Sequence, residues 1–337
     1  TEINEKYGDA RRTEITFADG EISIEDMIPD EDMVVTISHL GYVKRTNISE
    51  YRIQGRGGRG SKGSSTRQED FIEHMFIASA HNYLFLLSEQ GIFYKIRVYE
   101  IPEASKTSQG RVIQNLIELP KEDKIKAYII IKNIEDKEFM NSHYILFCTK
   151  KGTVKKTLVE EYAKSNISKI RALTINEGDT LIDARLTDGN SEIVMANKKG
   201  FAVRFNEGDV RSMGRPAAGV RGMTLQGEDD EVVGMLTVSE HDKLSTILVI
   251  SENGYGKRSE LEEYRKTKRG AKGVGTLKIT EKTGELIAIK AVEETDDLMI
   301  INESGVTIRM PVTEIRVMGR KTQGVRLINL TDDDRIA

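Results

Sequence analysis

The amino-acid sequence predicts an all-β protein built as a ring of six four-stranded units. Three observations support this prediction. One glycine-centred motif occurs six times, its copies are spaced by about one supersecondary unit, and the apolar runs between them are short and rich in β-branched and aromatic residues. Radial repetition of such units leaves few exposed sheet edges, so a ring is the favoured arrangement.

The motif is a small polar residue, a glycine three positions later and a basic residue four positions after that glycine. The glycines are Gly41, Gly91, Gly152, Gly200, Gly254 and Gly305. The basic residues are Arg45, Lys95, Lys156, Arg204, Arg258 and Arg309. A second glycine follows nineteen residues after the first in five copies, whereas the third copy has Arg171 there. We interpret each first glycine as a hairpin turn residue that adopts positive φ.

The second repeat illustrates the predicted elements in order. Tyr83–Leu87 and Ile92–Tyr94 flank Gly91 as two hairpin strands, and a polar loop containing Ile101-Pro102 runs to Gly110. The apolar run 112–117 is predicted as the fourth strand of the unit. Helix is expected to be a minor component.

The chain is predicted to form one domain over residues 13–337, preceded by the end of a linker at residues 1–12. Residues 13–17 and 21–24 flank Asp19-Gly20, a hairpin-like pattern whose strands could close the ring.

Composition excludes several classes of protein. No apolar run approaches the roughly 18 residues of a membrane helix, and the start of the chain lacks the pattern of a secretory signal, so we expect a cytoplasmic, nucleoid-associated protein. The single cysteine, Cys148, lies in an apolar run and is expected in the core. No residues combine as a nucleophile, base and oxyanion site, and the histidines lack ligand spacing. We therefore expect no catalytic residue, metal or cofactor in this chain.

Positive charge is concentrated within the repeats. The chain has 50 basic and 54 acidic residues, a net charge of −4, yet the six twenty-residue segments that start at each first glycine together carry +16. In a ring these segments occupy equivalent positions and would form a circumferential basic band, as suits a polyanion such as DNA. For any single cation, a solvated edge residue that blocks aggregation is the competing interpretation.

The densest basic segment is Gln54-Gly55-Arg56-Gly57-Gly58-Arg59-Gly60, followed by Lys62. Its glycines permit close approach of the backbone to a ligand, and its cations are suited to phosphate oxygens. A weaker analogue in the fifth repeat contains Lys268, Arg269 and Lys272. The first segment also matches GxGxxG, but it lacks the strand-turn-helix context of a dinucleotide site.

These residues resemble a known family. Residues 33–45 and the segment 54–60 are similar to the C-terminal domain of the A subunit of bacterial DNA gyrase (GyrA), whose GyrA-box heptapeptide reads Gln-Arg-Arg-Gly-Gly-Lys-Gly. This chain has Gly55 for the first Arg of the box and Arg59 for its Lys. The resemblance covers essentially the whole chain, because all six repeats follow the pattern.

The resemblance implies a six-bladed β-pinwheel whose four-stranded blades exchange strands with their neighbours. It implies non-sequence-specific binding, bending and chiral wrapping of double-stranded DNA, which is presented to the gyrase cleavage core for ATP-dependent negative supercoiling. The implied partners are the rest of the gyrase A subunit and the gyrase B subunit in a heterotetramer, with the breakage tyrosine and the ATPase outside this chain.

The expected DNA contacts are the box with Lys62 and a rim of cations. The rim comprises Lys44, Arg45, Lys95, Lys156, Arg204, Arg258, Lys268, Arg269, Lys272, Arg309, Arg320 and Lys321. The alternatives are a DNA-contact domain of a topoisomerase IV-like subunit, whose relatives lack an intact box, a protein-binding propeller scaffold and an unrelated enzyme.

Overall fold

A computed structural model of the chain describes residues 2–8, 25–50, 70, 72–163, 168–239, 246–302, 307–330 and 334–336. Short strands dominate it. Its helices are one short N-terminal helix, α1 (Glu2–Tyr7), three further short helices, α2 (Gln114–Ile117), α3 (Lys137–Ser142) and α4 (Glu160–Ala163), and several single 3-10 turns. None of the described helices is long and apolar enough to cross a membrane.

Each repeat begins with a hairpin of two strands around its first glycine. These hairpins are β1 (Asp32–Ser38) with β2 (Tyr42–Asn47), β4 (Tyr83–Ser88) with β5 (Ile92–Arg97), β8 (Tyr144–Thr149) with β9 (Thr153–Leu158), β12 (Glu192–Asn197) with β13 (Phe201–Asn206), β16 (Thr246–Ser251) with β17 (Tyr255–Ser259), and β20 (Asp297–Ile301) with β21 (Thr307–Pro311).

Two further kinds of strand complete the repeats. A long inner strand ends each of the first five repeats: β3 (Ile72–Ser79), β7 (Ile125–Ile131), β11 (Leu181–Thr187), β15 (Val232–Val238) and β19 (Leu286–Val292). A short outer strand follows the hairpin in repeats two to six: β6 (Arg111–Val112), β10 (Lys169–Arg171), β14 (Val220–Arg221), β18 (Val274–Gly275) and β22 (Val325–Arg326).

Each outer strand belongs to the blade formed by the preceding repeat. The strand order is β3-β1-β2-β6 in the first blade, and the next four sheets repeat this inner-first-second-outer order with their own hairpins. All pairings within the sheets are antiparallel. The predicted exchange of strands between neighbouring units is therefore present. The second repeat departs from the prediction at residues 112–117, where only Arg111–Val112 is a strand and α2 follows.

The hairpin turns explain the sequence motif. Gly41, Gly91, Gly152, Gly200 and Gly254 have φ between 76° and 84°, as predicted for turn glycines. In the first four repeats the small polar residue three positions before the glycine caps the turn, because its side-chain oxygen accepts a hydrogen bond from the amide of the residue after the glycine. For Asn197 Oδ1 and Phe201 N this distance is 2.8 Å, and for Ser38 Oγ and Tyr42 N it is 3.1 Å.

The prediction of six four-stranded blades is wrong. The described residues form a propeller-like ring with five four-stranded blades, and the sheet built on the hairpin of the sixth repeat has only two described strands, β20 and β21. A complete blade takes its outer strand from the following repeat, and for the sixth repeat that role would fall to the first, whose residues 51–69 lie outside those described. Its inner strand is represented by the Asn302–Ile336 bridge.

The hydrophobic core is divided among the blade interfaces. One cluster joins Phe85 and Ile129 of the second blade to Phe147 and Ala184 of the third. Similar clusters join the first repeat to the second, the third to the fourth, the fourth to the fifth and the fifth to the sixth. Cys148 has no exposed surface and packs in one of these clusters, as predicted. Burial also raises the pKa of its thiol.

The inner strands surround the hub of the ring. Neighbouring inner strands β7, β11, β15 and β19 contact one another in sequence. A cavity of about 450 Å³ lies among the inner strands, lined in part by His74, Tyr128, Asp183 and Thr237. The outer strands therefore lie at the opposite edge of each blade, on the perimeter. The predicted closing strand at residues 13–24 lies outside the described residues.

Candidate nucleic-acid interface

The perimeter of the ring is formed by the outer strands and by the loops that lead into them. Each outer strand pairs with the second strand of its blade on one side only. The loops of neighbouring repeats also touch: Thr174 N donates to Ala217 O at 3.3 Å, Thr224 N to Ala271 O at 3.0 Å and Lys278 N to Thr322 O at 3.1 Å. These contacts make the perimeter continuous from the third repeat to the sixth.

The outer strands carry exposed arginines that the sequence analysis did not select. Arg171, Arg221 and Arg326 occupy one register, each opposite the first residue of the second strand of its blade. All three are exposed. Arg326 also donates to Tyr255 Oη at 2.8 Å. Because the spacing of the cations around the ring follows the repeats, they suit an extended polyanion.

A sequence signal for these arginines exists. Arg221 and Arg326 stand two residues after the second glycine of their repeats, and so does Lys62 in the first repeat. The twenty-residue charge segments end at that glycine and therefore exclude both arginines. Arg111, immediately after Gly110, is exposed on β6 and was missed for the same reason.

Four of the cations placed four residues after the first glycine bind main-chain carbonyl oxygens of the next repeat. Each acceptor lies in or directly after a 3-10 turn. The pairs are Arg45 Nε with Ile101 O at 2.8 Å, Lys156 Nζ with Glu207 O at 3.2 Å, Arg204 Nη1 with Leu261 O at 2.8 Å, and Arg258 Nε with Ile315 O at 2.7 Å.

Carboxylates complete these contacts. Arg258 Nη1 lies 2.6 Å from Glu294 Oε1 and Arg45 Nη1 lies 2.9 Å from Glu103 Oε2. Only 4% of the Arg258 side chain is exposed. The geometry makes these four cations ties between neighbouring repeats, and a phosphate would have to displace their partners for the predicted DNA contacts to form.

Lys95 and Arg309, the other two cations four residues after a first glycine, differ in their exposure. Lys95 is 8% exposed and its Nζ lies 5.7 Å from the centroid of the Tyr83 ring. Arg309 is 67% exposed and pairs with Asp297 on the neighbouring strand. Of the six equivalent cations, Arg309 therefore has the greatest access to a ligand.

The basic loops of the fifth and sixth repeats reach the perimeter. Lys268, Lys272 and Lys321 are exposed and have no ion pair within the described residues. Arg269 is exposed and donates to Asp209 O at 3.0 Å and Arg221 O at 3.2 Å, so its loop lies against β14.

Two selected residues are less accessible. Lys44 is buried, and only 23% of the Arg320 side chain is exposed. Arg320 Nη1 donates to Gly275 O at 3.2 Å. The box residues Gln54, Gly55, Arg56, Gly57, Gly58, Arg59 and Gly60, together with Lys62, lie outside the described residues, and their role remains a prediction.

One buried lysine near the perimeter predicts a pH dependence of stability. Burial, helped by the nearby Arg215 and opposed by Glu161, lowers the pKa of Lys155 to about 7. The unfolded chain keeps this proton up to its ordinary pKa of 10.5, so it binds more protons than the folded chain between pH 7 and 10.5. Stability therefore rises with pH through this window and is lost as the pH falls towards 7.

We expect the wild-type free energy of unfolding to rise by about 2 kcal/mol from pH 7 to pH 9 relative to Lys155→Met. Urea unfolding of both proteins at the two pH values measures this difference. Parallel pH dependences of the two proteins would contradict it.

Comparisons with known proteins agree with the repeat organisation. The family model described as "DNA gyrase C-terminal domain, beta-propeller" matches residues 32–79, 82–132, 143–188, 191–239, 245–293 and 296–337. These six segments coincide with the six sequence repeats. The A subunit of DNA gyrase from Staphylococcus aureus strain NCTC 8325 is 40% identical over the whole chain, which spans 37% of that protein's length.

Solved structures show the same architecture. The C-terminal domain of DNA topoisomerase IV is similar with a TM-score of 0.78 and 27% identity, over 92% of this chain and 93% of that one. The DNA gyrase A C-terminal domain is similar with a TM-score of 0.69 and 28% identity, over 91% of this chain and 98% of that one. Since the family match extends through all six repeats, the chain belongs to the DNA gyrase C-terminal domain family, as its repeated motif and box-like segment predicted.

Proposed function

We propose that this chain binds duplex DNA along its perimeter, bends it and wraps it with one handedness. The observation that carries the proposal is the set of exposed cations on the outer strands and adjoining loops, repeated around a continuous edge. Arg171, Arg221 and Arg326 supply equivalent contacts, and Lys268 and Lys272 supply further ones. This arrangement fits phosphate contacts, which position a duplex without reading its sequence.

Bending DNA requires many distributed contacts. Bending 20 to 30 bp by 40 to 90° costs on the order of 1–6 kcal/mol, and a longer arc costs more. Contacts at successive repeats offset this cost because each adds an electrostatic term. The net charge of −4 does not oppose binding locally, since the acidic residues are concentrated outside the basic segments.

We expect log K for duplex binding to fall with log salt concentration with a slope of about −5 to −9, as for 6 to 10 neutralised phosphates. Fluorescence anisotropy with a long duplex at several salt concentrations measures the slope. A slope shallower than about −2 would exclude wrapping by this perimeter.

Chiral wrapping has a topological test. Increasing amounts of the chain are bound to nicked circular plasmid, the nick is ligated, the protein is removed and the linking number is measured. We expect a positive shift proportional to the amount of protein. Binding without a shift favours the contact mode of a topoisomerase IV-like protein, which the similarity to that solved domain supports as a second candidate. Absence of binding favours a protein-binding scaffold.

The box is proposed to hold one end of the bent duplex. In the same assay Arg56→Ala/Arg59→Ala should abolish the linking-number shift while retaining the circular dichroism melt and part of the DNA affinity. An unchanged shift would assign the latch to other residues.

The wider assembly follows from the family. The chain is homologous to the C-terminal domain of the A subunit of a type IIA topoisomerase. We propose that it is non-catalytic, requires no cofactor, and presents DNA to the gyrase cleavage core in a heterotetramer with the B subunit. Cleavage and ATP hydrolysis would then belong to the rest of the enzyme, which uses the wrap for negative supercoiling.

A further inference from the structure

Odd-numbered and even-numbered repeats differ in the side chain that packs against the loop of the next repeat. Three residues after the first glycine, the first, third and fifth repeats have lysine, whereas the second, fourth and sixth have Tyr94, Val203 and Ile308. The three lysines are Lys44, Lys155 and Lys257, and each is at most 1% exposed. A lysine is rarely buried so completely unless its ammonium is hydrogen-bonded.

Each buried ammonium binds the backbone of the loop in the next repeat. Lys44 Nζ donates to the carbonyl oxygens of Ser105, Lys106 and Ser108 at 3.0, 2.6 and 2.9 Å. Hydrogen bonds from a charged donor are about twice as strong as neutral ones, so this contact fixes the loop more firmly than packing alone.

The other two lysines repeat this contact. Lys155 Nζ donates to Ala172 O at 2.7 Å and Arg215 O at 2.6 Å. Lys257 Nζ donates to Gly319 O at 2.6 Å and also to Arg320 O. In all three cases one acceptor is the carbonyl of a basic residue: Lys106, Arg215 or Arg320.

The neighbouring hydroxyls reinforce two of these anchors. Thr46 Oγ1 donates to Ala104 O at 2.8 Å, and Ser259 Oγ donates to Met318 O at 2.8 Å. In the second and fourth repeats the same position is apolar, as Ile96 and Phe205. Anchoring of the following loop by a buried lysine at this position is therefore a property of the odd-numbered repeats.

The arginines of two of these loops are paired with carboxylates of their neighbourhood. Arg215 Nε lies 3.6 Å from Glu161 Oε2, and Arg320 Nε lies 3.8 Å from Glu263 Oε2. The two arginine side chains are 27% and 23% exposed, so each keeps part of its surface at the perimeter.

We propose that Lys44, Lys155 and Lys257 are positioning residues that fix the loops of repeats two, four and six as preformed stations for DNA phosphates. The lysines themselves do not touch the duplex. They hold the backbone from which Lys106, Arg215, Arg320 and the adjoining Lys321 extend. The identity of the ligand rests on the proposed function, whereas the anchoring of the loops by the lysines is independent of it.

The test compares Lys257→Met with wild type, using limited trypsin digestion and binding to a duplex. We expect cleavage after Arg320 and Lys321, followed by mass spectrometry, to be at least about tenfold faster in the variant. We also expect the slope of log K against log salt to become shallower by about 1–2, as for one or two lost phosphate contacts. Both measurements are made well below the melting temperature of each protein.

Val203→Ala is the matched control. It removes apolar contacts at the equivalent position of an even-numbered blade, so it should lower the melting temperature without changing the salt slope or the cleavage at residues 320 and 321. If Lys257→Met does not fold, Lys257→Gln replaces it, because a Gln amide retains two donors and should give intermediate values.

The outcomes separate the two ideas. If Lys257→Met is folded and both the cleavage rate and the salt slope equal those of wild type, or if Val203→Ala changes them equally, the positioning role is excluded. If wild type itself shows no salt-dependent DNA binding, the proposed function fails, and the proteolysis result alone decides whether the lysine fixes the loop.

Discussion

The variant Arg171→Gln/Arg221→Gln/Arg326→Gln is expected to bind duplex DNA on the order of 10²–10³-fold more weakly than wild type at 0.1 M salt. Each lost phosphate contact removes about 0.9 from the slope of log K against log salt, so three contacts remove about 2.7. If the two proteins bind equally at 1 M salt, where the electrostatic contribution is small, a slope that is shallower by about 2.7 lowers log K by about 2.7 at 0.1 M, a tenfold lower salt concentration. Fluorescence anisotropy across this range measures both quantities.

A charge-matched control separates position from net charge. Lys121→Gln/Lys132→Gln/Lys137→Gln removes three exposed cations that flank the inner strand β7 instead of an outer strand. We expect its salt slope to differ from wild type by less than about 1, since distant charges are screened beyond roughly 10 Å. Equal losses in both triple variants would mean that the field of the whole protein, and no particular edge, binds the DNA.

Arg258→Met should lower the free energy of unfolding by about 2–4 kcal/mol, whereas Arg309→Met should change it by less than about 1 kcal/mol. Both residues stand four positions after the first glycine of their repeat. Arg258 is buried and bonded to Ile315 O and Glu294, so its removal leaves a carbonyl without its charged donor. Arg309 is exposed and pairs with Asp297 at the surface.

Urea unfolding measures the stability of both variants, and the salt slope of DNA binding provides the second readout. We expect the slope to stay unchanged in Arg258→Met. If the slope falls by about 1 while stability is retained, Arg258 contacts phosphate directly, as its place in the repeat had suggested.

These pairs of residues show how far the sequence predicts the site. The repeat placed Arg258 and Arg309 at equivalent positions, and both were selected as rim contacts. The repeat could not reveal that Arg258 donates a hydrogen bond to Ile315 O, because that carbonyl lies 57 residues further along the chain. Conversely, Arg221 lies just beyond the basic segment of its repeat and was not selected, although it lies on the outer edge of a blade.

The number of blades shows the same limit. Six copies of the motif correctly predicted six repeats, and the family match covers all of them. The prediction of six four-stranded blades assumed that each repeat forms one blade. In the structure the fourth strand of a blade comes from the following repeat, so the sixth repeat gives its outer strand to the fifth blade, and its own sheet has only the two described strands of its hairpin.

The sequence by itself determined the all-β class, the six repeats, the turn glycines and the family. Each of these depends on local chemistry: positive φ at glycine, β-branched runs and small polar caps recur at fixed spacing. Only the tertiary structure decided which cations are buried and which are exposed. A side chain's access to a ligand depends on the backbone that other repeats place beside it, and these contacts join residues about 60 positions apart.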